Sequence, residues 1–216
     1  MQYLLIILFS FNFLIAELIK PENLDTLSKI HILFEWGQEP DAIEYNLQLS
    51  SFNDFSELLL DTTINNLLFI DKKNINWNSE YFWRVRPILN DDLESWIDTN
   101  LFFIKKPLFN DTGEIYITHS TIVNDDLIAY GDPFRKKTII FDRNGREVWN
   151  DSEKQFVVYH VDEFGIFYGR DYPSGSFSSF NLNHDILWET PLGYNLNYHD
   201  FRQLPNENYI GLAKES

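Results

Sequence analysis

The second half of this chain repeats itself, and the spacing of the repeat constrains its fold more than any other feature. Ile140-Phe141-Asp142-Arg143-Asn144-Gly145-Arg146-Glu147-Val148-Trp149 and Ser179-Phe180-Asn181-Leu182-Asn183-His184-Asp185-Ile186-Leu187-Trp188 share one outline of strand, polar turn and strand, with their tryptophans 39 residues apart. Tyr159-His160 and Tyr198-His199 keep the same offset of 39, and an earlier copy begins at His119. An apolar run follows each copy: Leu127 to Gly131, Ile166 to Gly169, and Tyr209 to Leu212. A period of about 40 residues with several strands per unit is the signature of a β-propeller blade. One blade cannot bury both of its faces alone, so about four or more are needed to close. Residues 114–216 hold two to three copies. The expectation is therefore an incomplete β-propeller, continued by further sequence or by another chain.

The first half reads as a different β domain. Short runs rich in Ile, Val, Phe, Tyr and Trp alternate with clusters of Asn, Asp, Gly and Pro, and no long stretch shows helical periodicity. Ile30 to Trp36 places Ile30, Ile32 and Phe34 on one face. Ile43 to Leu49 does the same with Ile43, Tyr45, Leu47 and Leu49. Leu58 to Leu60, Leu67 to Ile70, Tyr81 to Ile88 and Trp96 to Ile104 complete the set. In Tyr81 to Ile88, Tyr81, Trp83 and Val85 face one way and Arg84 and Arg86 the other. Short strands at this spacing predict an immunoglobulin-like sandwich over residues 27–104, with a linker over 105–113.

Residues 1–16 read as an export signal. Tyr3 to Ala16 is almost wholly apolar, broken only by Ser10 and Asn12, and is too short for a span of about 20 residues. Ala16 is the candidate residue before the cut, which leaves no stable membrane span and a periplasmic or extracellular protein. A hydrophobic fraction of 44% supports a packed core, and a net charge of -16 repels phosphates, so nucleic acid is not an expected partner. The chain has no Cys, which removes disulfides, cysteine nucleophiles and Cys-ligated metal sites. No metal site is expected. Asp142-Arg143-Asn144-Gly145 lacks the bidentate Glu of a calcium loop and reads as a hairpin turn. Gly145, Gly165, Gly169, Gly175 and Gly193 form no phosphate-cradling pattern, and Ser174 and Ser176 sit in no nucleophile elbow.

Two resemblances add to this reading. Leu33-Phe34-Glu35-Trp36, Tyr45-Asn46-Leu47-Gln48-Leu49 and Tyr81-Phe82-Trp83-Arg84-Val85-Arg86 resemble the fibronectin type III family, which implies a core position for Trp36. Tyr198-His199-Asp200-Phe201-Arg202-Gln203-Leu204-Pro205-Asn206-Glu207-Asn208-Tyr209 resembles a motif of the bacterial arylsulfotransferases, and Thr138 to Trp149 resembles their blade strands. Members of that family are exported propellers, often with an immunoglobulin-like N-terminal domain. They move a sulfuryl group from a phenolic sulfate to a phenol through a histidine intermediate, with no nucleotide donor and no cofactor.

The resemblance makes His199 a sulfate-contacting residue and sets Tyr198, Arg202 and His160 beside it as substrate-binding candidates. It places the covalent nucleophile on a later blade, beyond Ser216, so these residues alone are expected to be inactive. Tyr198 stands where the family has its first His, and Glu207 replaces a turn Gly. His119 and His160 have a second reading, as side chains that tie neighbouring strands. Arg170, Asp171 and Arg202 stand as channel-lining or solvated residues. Two alternatives remain for the whole: an exported, non-catalytic binding or adhesion protein, and a propeller enzyme of different chemistry.

Overall fold

The computed structural model describes residues 16–90, 92–109, 126–152, 154–191 and 196–213, and for 196–202 and 213 the backbone alone. Residues 1–15 of the expected export segment, residues 110–113 of the expected linker and His119 lie outside the described residues. Every regular element described is a strand, so the protein is all-β, built from several sheets.

The chain divides into two units, one formed by Met1–Asp25, Ile32–Asn74 and Glu80–Phe103. Its sequence range carries β1 (Leu18–Lys20), β2 (Asp25–Leu27), β3 (Ile32–Trp36), β4 (Glu44–Ser50), β5 (Leu58–Ile64), β6 (Leu68–Asp71), β7 (Glu80–Leu89), β8 (Asp92–Leu93) and β9 (Thr99–Ile104). One sheet has the order β1-β3-β6, the other β2-β9-β7-β4-β5, with β8 added to β7. Strict alternation drives the packing, because side chains two apart share a face of a strand. Ile32, Phe34 and Trp36 of β3 are buried, as are Tyr45, Leu47 and Leu49 of β4 and Tyr81, Trp83 and Val85 of β7. Rings from the two sheets interlock. Phe34 meets Trp83 at 5.1 Å and Phe102 at 6.0 Å, and Trp36 meets Tyr45 at 5.7 Å. These contacts make the unit a two-sheet sandwich.

Four details differ from the alternation read in the sequence. Ile30, expected in one strand with Ile32 and Phe34, precedes β3 and belongs to the second unit, where its amide donates to Val148 O. Ile43 precedes β4 and is 62% exposed, because the chain turns at Asp41 (φ 62°) before the strand begins. Trp96 lies outside β9, in the segment leading to it. The sheets also recruit β1 and β2, which start before residue 27.

The second unit gathers Thr26–His31, Ile75–Ser79 and Ile104–Ser216. It carries β10 (Ile128–Asp132), β11 (Lys137–Phe141), β12 (Glu147–Asn150), β13 (Phe156–Val161), β14 (Phe167–Asp171), β15 (Phe177–Phe180), β16 (Ile186–Glu189), β17 (Leu196–Gln203) and β18 (Tyr209–Ala213). They form three open antiparallel sheets, β10-β11-β12, β13-β14-β15-β16 and β17-β18. Ser28–Ile30 runs along β12, with Ile30 N donating to Val148 O and Asn150 N to Ser28 O. The Glu147 carboxylate accepts the amides of Leu108 and Phe109, each at 2.9 Å.

The repeat seen in the sequence is reproduced in the pairing register. Ile140 pairs with Trp149 and Phe141 with Glu147, with a bulge between; Ser179 pairs with Trp188 and Phe180 with Ile186, with the same bulge. Four five-residue turns share one hydrogen-bond pattern: Asp142–Arg146, Asp162–Ile166, Asn181–Asp185 and Leu204–Asn208. In each, the fourth residue donates its amide to the first carbonyl, and the first amide donates to the fifth carbonyl. The fourth residues are Gly145, Gly165, His184 and Glu207, with φ of 82°, 78°, 66° and 64°. This is the three-residue hairpin loop that ends on a left-handed residue. In three of the four, an Asp or Asn side chain caps the turn through its Oδ1.

Tryptophan joins successive sheets. Trp149 of β12 stacks on Phe167 of β14 at 5.5 Å and 14°, and Trp188 of β16 stacks on Tyr209 of β18 at 3.8 Å and 16°. The Thr138 hydroxyl, fully buried, donates to Phe156 O and accepts from Val158 N, which fixes β11 against β13.

A Cβ at Gly165 would meet nothing within 4 Å, so a substitution there feels the backbone conformation alone. Gly165→Ala is expected to cost about 1–2 kcal/mol, the left-handed penalty of an L side chain. Glu207→Gly, which removes that penalty, is expected to leave stability unchanged or raised. Urea unfolding of the two variants checks both signs; equal losses in both would refute the shared turn geometry.

Candidate functional site

Of the four site residues expected from the sequence, His160 is described with its side chain. β13 starts with Phe156, Val157 and Val158 buried and then turns Tyr159 and His160 outward. The change coincides with a break in register between Val158 and His160. An inserted residue of this kind re-aims the side chains around it. His160 then pairs across to Tyr168 on β14, and the two rings lie 5.9 Å apart.

The Tyr168 ring is buried against Phe177, with Ile166, Trp188 and Tyr209 around it. Its hydroxyl lies 3.0 Å from Asp162 Oδ2 and 2.8 Å from the Gln203 side chain. One phenolic proton serves two neighbours. The neighbours are both oxygens, Asp162 Oδ2 and Gln203 Oε1, and the carboxylate is the stronger acceptor; Gln203 Nε2 in turn donates to Glu207 O at 3.4 Å. Burial first, and then the Asp162 carboxylate, push the Tyr168 phenol up to about 12. Tyr168 is thus a neutral donor that locks the β13–β14 turn to the end of β17. His160 stands exposed beside it.

Tyr198, His199 and Arg202 lie on β17. Their backbone repeats the arrangement at His160. The pairing of β17 with β18 slips between Leu196 and Phe201, so Tyr198-His199 falls in the irregular stretch, as Tyr159-His160 falls at the bulge of β13. Arg202 pairs with Ile210, past the irregularity. β17 packs beside β13 and β14, which brings the two Tyr-His strands into one neighbourhood.

Other candidates separate from this group. Asp171 pairs with Phe156, at the opposite end of β13 from His160, and Asp171 Oδ2 caps the next turn by accepting Ser174 N. The Arg170 guanidinium sits 5.1 Å from the Tyr172 ring at the same end. Among the described residues no three His, Asp or Glu side chains converge as metal ligands, and no helix is long and apolar enough to cross a membrane.

Sequence reading missed a buried ionisable cluster. Asp151 is fully buried, with Oδ1 accepting Lys154 N and Oδ2 accepting Phe156 N. His184 Nε2 lies 3.8 Å from Asp151 Oδ1, and the His184 ring stacks on Trp149 at 5.0 Å. Lys137 and Lys154 face the same carboxylate, yet burial dominates and pushes Asp151 up to about 6. The one signal in the sequence was a His at a turn position where two sister turns have Gly.

No protein-family model matches this chain, and no curated protein matches it. Among solved structures, the chain is similar to a fibronectin type III domain derived from human KIAA0970 protein. The likeness has 8% identity and a TM-score of 0.34, and covers 50% of this chain and 82% of that domain.

Asp151 carries a pH prediction. Its folded pKa of about 6 exceeds the unfolded value of 3.8. Below about 4 both states hold the proton and burial costs nothing. Between about 4 and 6 the unfolded state ionises first, so stability falls as pH rises, by up to about 3 kcal/mol for two units. Urea titrations at pH 4 and pH 7 of the protein and of Asp151→Asn isolate the effect. The stability difference between protein and variant should shift against the protein at pH 7; a difference independent of pH contradicts the assignment.

Proposed function

We propose that this chain is an exported, arylsulfotransferase-like protein that moves a sulfuryl group between phenols. In this reading the sandwich is fibronectin type III-like and the second unit supplies the opening blades of a propeller. The strand orders β1-β3-β6 and β9-β7-β4-β5, with Trp36 in the core, support the first assignment, and the reproduced register of the repeats supports the second.

The observation that carries the enzymatic reading is the Leu204–Asn208 turn. The arylsulfotransferase motif has Gly at the position of Glu207, and Glu207 holds the left-handed conformation, with φ 64°, that Gly adopts most easily. Glu207 thus holds a conformation open to the Gly of the motif, as the fourth residues of the three sister turns do. His199 stands five residues before that turn, on the strand that packs beside β13 and β14.

The reaction proceeds in two displacements. A histidine nitrogen attacks sulfur, the bond from sulfur to the aryl oxygen breaks, and the phenolate leaves with the electron pair. A second phenol then gives up its proton to solvent, its oxygen attacks sulfur, the sulfur–nitrogen bond breaks, and the imidazole is freed with that electron pair. His199 contacts the sulfuryl oxygens, where positive or donor groups offset developing charge. In this reading Tyr198, Arg202 and His160 are the substrate-binding residues. Tyr198 replaces a family His, and that substitution favours a second reading, an exported binding or adhesion protein that uses sandwich and propeller as surfaces.

One assay separates the two. Protein from its native source is given 4-nitrophenyl sulfate and phenol, and release of the coloured phenolate is followed. Sulfate transfer, lowered by about tenfold to a thousandfold in His199→Ala, is expected, the range for loss of one charge-stabilising contact. A folded native protein that transfers no sulfate sinks the enzymatic reading and leaves the binding one.

A further inference from the structure

The outer face of the larger sandwich sheet carries an unusual pair of cations. Across the strands, Asp61, Gln48 and Arg84 form one row, and Thr63, Asn46 and Arg86 form the next. Gln48 Oε1 accepts from Arg84 Nε and Nη2 at 3.0 and 2.7 Å, and Asn46 Oδ1 accepts from Arg86 Nε at 3.1 Å. The amide nitrogens of Asn46 and Gln48 both donate to the Asp61 carboxylate, at 2.7 and 3.1 Å. The carboxylate is therefore spent on amides. Among the described residues neither guanidinium forms an ion pair.

Aromatic rings hold both guanidiniums in place. The Arg84 Cζ lies 3.8 Å from the Phe55 ring centroid and 3.9 Å from that of Trp96, and the Arg86 Cζ lies 4.2 Å from Trp96. Stacking covers the faces of a guanidinium and leaves its edges for hydrogen bonds. The edges facing Gln48 and Asn46 are used. The Nη1 of Arg84 and both Nη atoms of Arg86 make no hydrogen bond within the described protein.

The charge balance is also unusual. Burial first, and then the Arg86 charge, hold the Arg84 guanidinium below its usual range, while the Asp61 carboxylate favours its protonation. Two cations and one carboxylate leave a local excess of one positive charge on a chain of net charge -16. Two like charges two residues apart on one strand repel each other, although both arginines also satisfy buried amides. An incoming oxyanion relieves that repulsion.

We propose that the free edges of Arg84 and Arg86, held in place by Trp96 and Phe55, form a binding site for one oxyanion group of a ligand, a carboxylate or a sulfate. The site lies on the sandwich and does not depend on the sulfuryl-transfer reading. Guanidinium edges suit acceptors with two oxygens, and pre-set side chains lose little freedom on binding.

The test is nuclear magnetic resonance of the nitrogen-15-labelled chain, following the Nε–Hε signals of Arg84 and Arg86. Sodium sulfate and, separately, sodium acetate are titrated at constant ionic strength made up with sodium chloride. Saturable shifts of both signals are expected. Saturation by sulfate alone assigns a tetrahedral anion, by acetate alone a carboxylate, and by both a site that reads any oxyanion. Arg86→Gln should weaken binding about tenfold to a hundredfold, as loss of a charged hydrogen-bond partner does. Arg86→Lys, which keeps the charge and the fold but loses the fork, should weaken it less. Shifts that match sodium chloride, or saturation unaltered in both variants, overturn the proposal.

Discussion

The second unit depends on one repeated contact, a tryptophan from the last strand of one sheet laid flat on an aromatic ring of the next. An isolated sheet of three or four strands buries one face at most, and its other face must find a partner. Trp149 does this for the first junction, meeting Phe167 and Phe180, with its Nε1 donating to Leu182 O. Trp188 does it for the second, on Tyr209. Such ring pairs add about 0.5–1.5 kcal/mol to the burial of their area. The repetition of the contact with the repeat of the sequence makes the unit a stack of modules coupled to their neighbours.

The sandwich meets its own constraint differently. Its inner faces are filled by rings at alternate positions. The outer face of β4 is covered as well, so Asn46, Gln48 and Ser50 are buried polar residues that must be satisfied in place. Ser50 does so by donating to Glu57 O, and Asn46 and Gln48 by linking Asp61 to the two arginines. The result is a polar layer over an apolar one, rigid on both sides. The proposed oxyanion site is a consequence of that layer, since the residues that satisfy the amides also fix the guanidinium edges.

Much of this was legible in the sequence where periodicity was strict. Tyr45, Leu47 and Leu49, and Tyr81, Trp83 and Val85, follow period two and are all buried. The offset of 39 residues between the two tryptophans foresaw the shared register of β11–β12 and β15–β16. Legibility ended where backbone conformation outweighed residue type. Gly145 and Gly165 announce left-handed turn positions, but His184 and Glu207 adopt the same φ without the residue that signals it. β1 and β2 have three residues each, too few for a pattern. β5 extends through Asp61, Thr62 and Thr63 because an edge strand takes polar residues on its open side. The Asp151–His184 cluster was illegible because its members are 33 residues apart and come within 3.8 Å of each other only in the folded chain.

The coupling of the sheets through Trp149 is tested most directly by hydrogen exchange, followed by mass spectrometry, on Trp149→Ala. Removing a buried tryptophan costs about 3–5 kcal/mol. If the stack joins the modules, amides of β10–β12 and of β13–β16 should lose protection together, while those of β3, β4 and β7 keep theirs. Loss confined to β12, with β13–β16 as protected as before, would mean that the sheets stand independently and that the stack is not what holds them.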